Sequence, residues 1–194
     1  MRNMRNSTFA VLMFVFAAWS ANENRIIVDP TLAHYDSFPD IKTGAKFFVD
    51  AVTDTVHGRD DSGIVGYVHT RFNHPDTVVS RPLPAAAVSR SLQTLLEKKD
   101  AIAAGKGVAI YLIRVSVLGF NLKETPHFFY QTIAASVQLK VDLVDPGTLG
   151  LMRSFNIDSQ RSRAVFNSGR NAQSLLRSAL HNALAEVVQS LNGQ

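Results

Sequence analysis

At 194 residues, with 46% apolar and 19% charged residues, the chain is long enough and greasy enough for one ordinary domain with a buried core, which excludes wholesale disorder. The absence of cysteine excludes disulfides, thiolate metal sites and a cysteine nucleophile. The formal charge is +4, but Arg2 and Arg5 lie in the first twenty residues, which hold no acid, and without that segment it falls to +2. Lys and Arg are scattered along the rest with no run of five, so the composition gives no basic footprint for nucleic acid.

Met1 to Asn6 is a short positive segment, an apolar run extends from Phe9 to Ala18, and small residues surround Trp19. That order is the one found in secretory signal peptides, and Ala18-Trp19-Ser20 predicts cleavage before Ala21. The apolar run is about half the roughly 20 residues that span a bilayer as a helix. Phe16-Ala17-Ala18-Trp19 has the outline of a lipobox with tryptophan where a cysteine must stand, so no lipid anchor is expected. The expected organisation is a signal over residues 1–20, an edge strand and loop over 21–44, and a single α+β domain over 45–194.

Within 21–44, Ile26-Ile27-Val28 suggests one edge strand, after which Asp29-Pro30 opens a polar stretch. From Ala45, Phe47, Val49 and Ala51 alternate with Phe48, Asp50 and Val52, the period of a strand with one face buried. Asp60-Asp61-Ser62-Gly63 has turn chemistry and Ile64 to Thr70 again reads as a strand, so residues 45–70 are expected to form a β-hairpin. Arg71 to Pro84, with three prolines, reads as a polar loop. Val88, Leu92, Leu95, Leu96 and Ile102 then recur at helical spacing over 85–104, with Gly105 or Gly107 as the stop.

Three further strands are expected. Ala109, Tyr111, Ile113, Val115 and Val117 share a face in the first, Val137 to Leu143 alternate in the second, and Leu151, Phe155 and Ile157 mark the third after an Asp145-Pro146-Gly147 turn. Leu176, Leu180, Leu184 and Val188 predict a closing helix over 171–191, with Asn171 as N-cap. The fold class is therefore α+β: a single antiparallel sheet in the order ββαβββα, with two amphipathic helices on one face.

With these landmarks the chain resembles the YajG-type family of bacterial envelope lipoproteins. The residues that carry the resemblance are Phe47-Phe48-Val49-Asp50-Ala51-Val52-Thr53-Asp54, leading through Arg59 to Gly63-Ile64-Val65-Gly66, then Val137 to Leu143 and the final helix. The likeness extends over residues 45–191. It implies an envelope protein without enzymatic activity and transfers no catalytic residues, and the missing cysteine departs from the family pattern.

Candidate chemistry is thin. His69 and His74 stand five apart without the surroundings of a zinc site, and His181 falls on the polar side of the last helix. Asp54, Asp60 and Asp61 lack the spacing of a calcium loop and suit a turn rimmed by acids, with Arg59 as a surface partner. Gly105-Lys106-Gly107 follows a helix instead of opening one, which is wrong for a phosphate loop. No catalytic residue, cofactor site or metal site is assigned.

Phe128-Phe129-Tyr130 is the one aromatic cluster outside a clear strand pattern, and burial is its default expectation. If solvent-facing, it would mark a partner or ligand surface, as would Arg71 and Arg81 in the proline-rich loop. These observations point to an exported, non-enzymatic protein of the periplasm or cell envelope of a Gram-negative bacterium. It would bind another envelope protein and reach a membrane through its partners. The alternative is a binder of a small ligand or envelope glycolipid with residues 128–130 lining a pocket between sheet and helix.

Overall fold

A computed structural model describes residues 25–42, 44–56, 62–71 and 74–193. The signal segment, His57, Arg59, Asp60 and Asp61 lie outside the described residues, and with them the pairing expected for Arg59. Four strands come first: β1 (Arg25–Val28), β2 (Phe47–Asp54), β3 (Ile64–Arg71) and β4 (His74–Ser80). Helix α1 (Pro84–Lys98) follows, then β5 (Tyr111–Pro126), β6 (Gln131–Val144), β7 (Leu151–Val165) and helix α2 (Ser168–Asn192). All strands join one sheet ordered β1-β4-β3-β5-β6-β7, with β2 also paired to β5.

The class is α+β as expected, but the sheet is mixed and not purely antiparallel. Strands β2 and β3 do not form a hairpin with each other. Both run parallel to β5 along the same edge: Phe47 to Asp54 align with Tyr111 to Val117, and Gly66 aligns with Leu122. Parallel strands need a crossover, and α1 supplies it by packing on β2 and β5. The hairpin partner of β3 is β4, in the stretch expected to be a loop. Asp76 to Ser80 are buried there, and the β-branched run Thr77-Val78-Val79 fills the space between β1 and β3. Pro75 stands near the start of β4, where a missing N–H costs least.

Helix α1 ends at Lys98, earlier than expected, because Asp100 adopts a φ of 48° and turns the chain back. Ile102, expected on the helical stripe, instead bridges to Phe47 beside β2. Helix α2 begins sooner than expected. Its N-cap is Asn167, whose side chain accepts from the Arg170 amide at 3.3 Å. Strands β5 and β7 run well past the segments whose alternation is obvious.

Both helices cover the same face. Ile133, Ala135, Val137, Leu139, Val141 and Leu143 of β6 point into one core with Leu92 and Leu95 of α1 and Leu176, Leu180 and Leu184 of α2. The segment after β1 belongs to that core too, since Leu32, Tyr35 and Phe38 are buried. His181, expected to be solvated, lies 4.2 Å ring to ring from Phe38 and 2.8 Å from Ser37 Oγ.

Glycine is required at Gly66 by close approach, because a Cβ there would collide with the Leu122 carbonyl oxygen. Gly66→Ala should therefore lower unfolding stability by about 1–3 kcal/mol through overpacking. Gly107→Ala, where a Cβ meets nothing within 4 Å, should fall within about 0.5 kcal/mol of the parent. Urea denaturation of both variants checks the contrast.

Candidate functional site

The face of the sheet away from the helices is built by alternation. Ser136, Gln138, Lys140 and Asp142 point outward from β6 because their neighbours point into the core. Register places Asn121, Ser116 and Arg114 of β5 on one side of them, and Gln160, Asp158, Asn156 and Ser154 of β7 on the other. The result is a broad, mainly polar surface with internal hydrogen bonds, interrupted by Leu118, which is 45% exposed. Gln138 Nε2 donates to Asp158 at 3.0 Å, and Ser154 Oγ donates to Asp142 at 2.6 Å.

At one end of this face sits a charge cluster that sequence reasoning did not single out. The pairing of β2 with β5 slips between Val49 and Ala51, leaving Asp50 at an irregularity that breaks the alternation. Its carboxylate, only 9% exposed, takes Arg114 Nε at 2.8 Å and also pairs with the Lys106 ammonium. Hydrogen bonds from Lys106 and then Arg114 hold its pKa below the ordinary 3.8. Asp145, in the expected turn after β6, is likewise held down by hydrogen bonds from Thr148 and from the Gly147 amide.

The opposite end of the sheet gathers the expected aromatic residues. Phe128 and Phe129 form the tip of the β5–β6 hairpin, closed by the His127 amide donating to the Tyr130 carbonyl at 2.8 Å. They are not buried. Phe128 is 92% exposed and Phe129 80%, packed edge to face on each other at 4.6 Å. Tyr130 stacks on His127, with ring centres 4.5 Å apart. Phe166, 91% exposed, follows Val165, which pairs with Gln131 at the base of the same hairpin. Phe166 carried no periodic signal; only its place between a strand end and an N-cap put it on the surface.

Beneath the tip lies a buried polar knot. The Glu124 carboxylate, 3% exposed, accepts from the His69 amide and lies 3.1 Å from His69 Nδ1. Ser168 Oγ lies 2.9 Å from Glu124 Oε1 and 2.8 Å from Gln131 Oε1. The knot ties β3, β5, β6 and the start of α2 together. His69 therefore faces a carboxylate from the neighbouring strand β5, while the side chain of His74 lies outside the described residues.

Arg71 and Arg81 are not brought together. Arg71 closes β3 at the tip end, with its side chain outside the described residues, while Arg81 follows β4 at the other end of that hairpin. A groove of about 490 Å3 lies elsewhere, between Ile26 to Val28 of β1 and Arg170, Gln173 and Arg177 of α2. Residues 128–130 do not line it. Among the described residues, no group of three or more His, Asp or Glu is placed to hold a metal ion.

No family model matches the chain, and no curated relative matches it in sequence. Among solved structures, a DUF330 protein from Xanthomonas campestris matches with a TM-score of 0.55 at 14% identity, over 86% of this chain and 92% of that one. This likeness shows the fold alone. A minor lipoprotein from Acinetobacter baumannii matches with a TM-score of 0.44 at 8% identity, over 76% of this chain and 92% of that one. A neuraminyllactose-binding hemagglutinin homologue from Helicobacter pylori matches with a TM-score of 0.43 at 14% identity, over 83% and 91%. The structural neighbours thus include bacterial lipoproteins.

The Asp50 cluster sets a pH dependence. A carboxyl whose folded pKa is depressed adds stability above its unfolded pKa, and that stability is lost as pH falls through the folded value. Asp50→Asn should cost about 1.5–3 kcal/mol at pH 7, the scale of hydrogen bonds to a charged group. The gap to the parent should close as pH drops below 3.8. Thermal unfolding of both proteins across that range measures it.

Proposed function

We propose that this chain is an exported, non-enzymatic protein of the Gram-negative cell envelope that binds another envelope protein through the uncovered face of its sheet. The single observation that supports the reading is that face. It is broad, carried on rigid strands, and lined by Ser116, Asn121, Ser136, Gln138, Asn156 and Gln160, with polar groups spread across it instead of converging on a reacting centre. A surface of that kind suits wet, specific protein contact. The export-like leader supports the compartment, and the YajG-type resemblance is kept as the finer family reading. Among the described residues, the β7 edge of the face has a neighbouring strand on one side only, which gives a partner backbone groups to pair with.

A photocrosslinking side chain at Ser136 or Gln160 should give a discrete adduct with an envelope protein in cells. The same group at Glu186, exposed on α2, should give none. Ser136→Arg should abolish recovery of the partner while leaving thermal unfolding within a few degrees, as for most surface changes, about 0.5 kcal/mol. Adducts arising only from position 186 would sink the reading.

A further inference from the structure

We infer that the aromatic end of the sheet is a membrane-contacting tip, formed by Phe128, Phe129 and Phe166 and seated on the surface of an anionic phospholipid bilayer. Leaving three phenylalanines this bare at one end of a water-facing protein costs apolar hydration at each. Insertion into the interfacial layer removes that cost. Phe128 and Phe129 stand on a two-residue tip, narrow enough to enter between headgroups, with Tyr130 and His127 as an amphipathic pair just behind.

Charge selects the partner. Lys123 and Arg163 lie within the last four residues of β5 and β7 at this end, and Arg170 lies in the first turn of α2; all three are exposed. The described acids here, Glu124 and Asp76, are buried. The tip therefore combines apolar wedges with a positive collar, the pairing that drives interfacial binding to anionic lipid. The knot of Glu124, His69, Gln131 and Ser168 fixes the hairpin base to two other elements, β3 and α2, so the tip is held in place before it meets a surface.

The experiment uses the full chain and lets position 129 report for itself. The one tryptophan is Trp19, so Trp19→Phe combined with Phe129→Trp leaves a single indole at the tip. Its emission should shift to the blue with vesicles of phosphatidylcholine and phosphatidylglycerol, and brominated acyl chains should quench it. Vesicles of phosphatidylcholine alone should give a weaker response. On the parent background, Phe128→Ser with Phe129→Ser should lower cosedimentation with the anionic vesicles at least about tenfold. Lys123→Gln, Arg163→Gln and Arg170→Gln together should lower it roughly a hundredfold and remove the lipid preference. Cosedimentation with an unshifted indole would place the contact elsewhere and overturn the proposal. A blue shift without lipid that grows with protein concentration would overturn it in favour of self-association.

Discussion

The hydrogen-bonded edge that β5 shares between β2 and β3 is the constraint from which the rest of the architecture follows. A strand of sixteen residues is about twice the length of either partner, so both fit on one edge, end to end. Their parallel direction forces the chain to leave the sheet and return, and α1 with β4 fills that excursion. The close approach that Gly66 permits lets the second partner reach its place. With that edge filled, β5 can extend only on its other side, and there β6 and β7 add as an antiparallel meander.

A second consequence is the division of the sheet into a dry face and a wet one. Both helices lie on the same side, because α1 crosses from β2 to β5 there and α2 returns over β6 and β7. The core is closed on that side by the leucine and alanine stripe of α2. The opposite side is mainly polar along β5, β6 and β7, with a small second apolar cluster of Ala103, Ala109, Leu112 and Val144 at the end where Asp50 sits. The irregularity at Asp50 then gives that wet face an electrostatic anchor, holding Arg114 and Lys106 near the end where the segment after α1 folds back.

Much of this was legible in the residues, and the failures have definite causes. Alternation in Val137 to Leu143 and the four-residue repeat in α2 announced their elements because each has one dry face. β4 is hard to read because Pro75, Asp76 and Ser80 disguise a strand whose apolar part is only Val78-Val79, although Asp76 to Ser80 are all buried. The false hairpin arose because periodicity reports that a segment is a strand and says nothing of which strand it pairs with. Pairing is decided by non-local fit, here by the length of β5, whose second half reads as unremarkable. The aromatic cluster stands out by composition, but its exposure depends on the turn that Phe128 and Phe129 occupy. The Asp50 cluster needs the slip in register and the return of Lys106, neither visible along the chain.

The two surfaces assigned to this molecule do not compete, because they are orthogonal. The wet face runs along the strands of the sheet, while the aromatic tip closes one end of them. A protein resting on a bilayer by that end would stand with β5, β6 and β7 rising from the membrane, at about 3.3 Å per residue. The wet face would then be turned sideways toward neighbours in the same layer. In that posture the charges of Asp50, Arg114 and Lys106 sit at the end farthest from the lipid, along with the Asp145 turn. The acids whose ionisation the fold stabilises are thus kept away from an anionic surface that would repel them, and the exposed cations nearest the tip are the ones such a surface attracts.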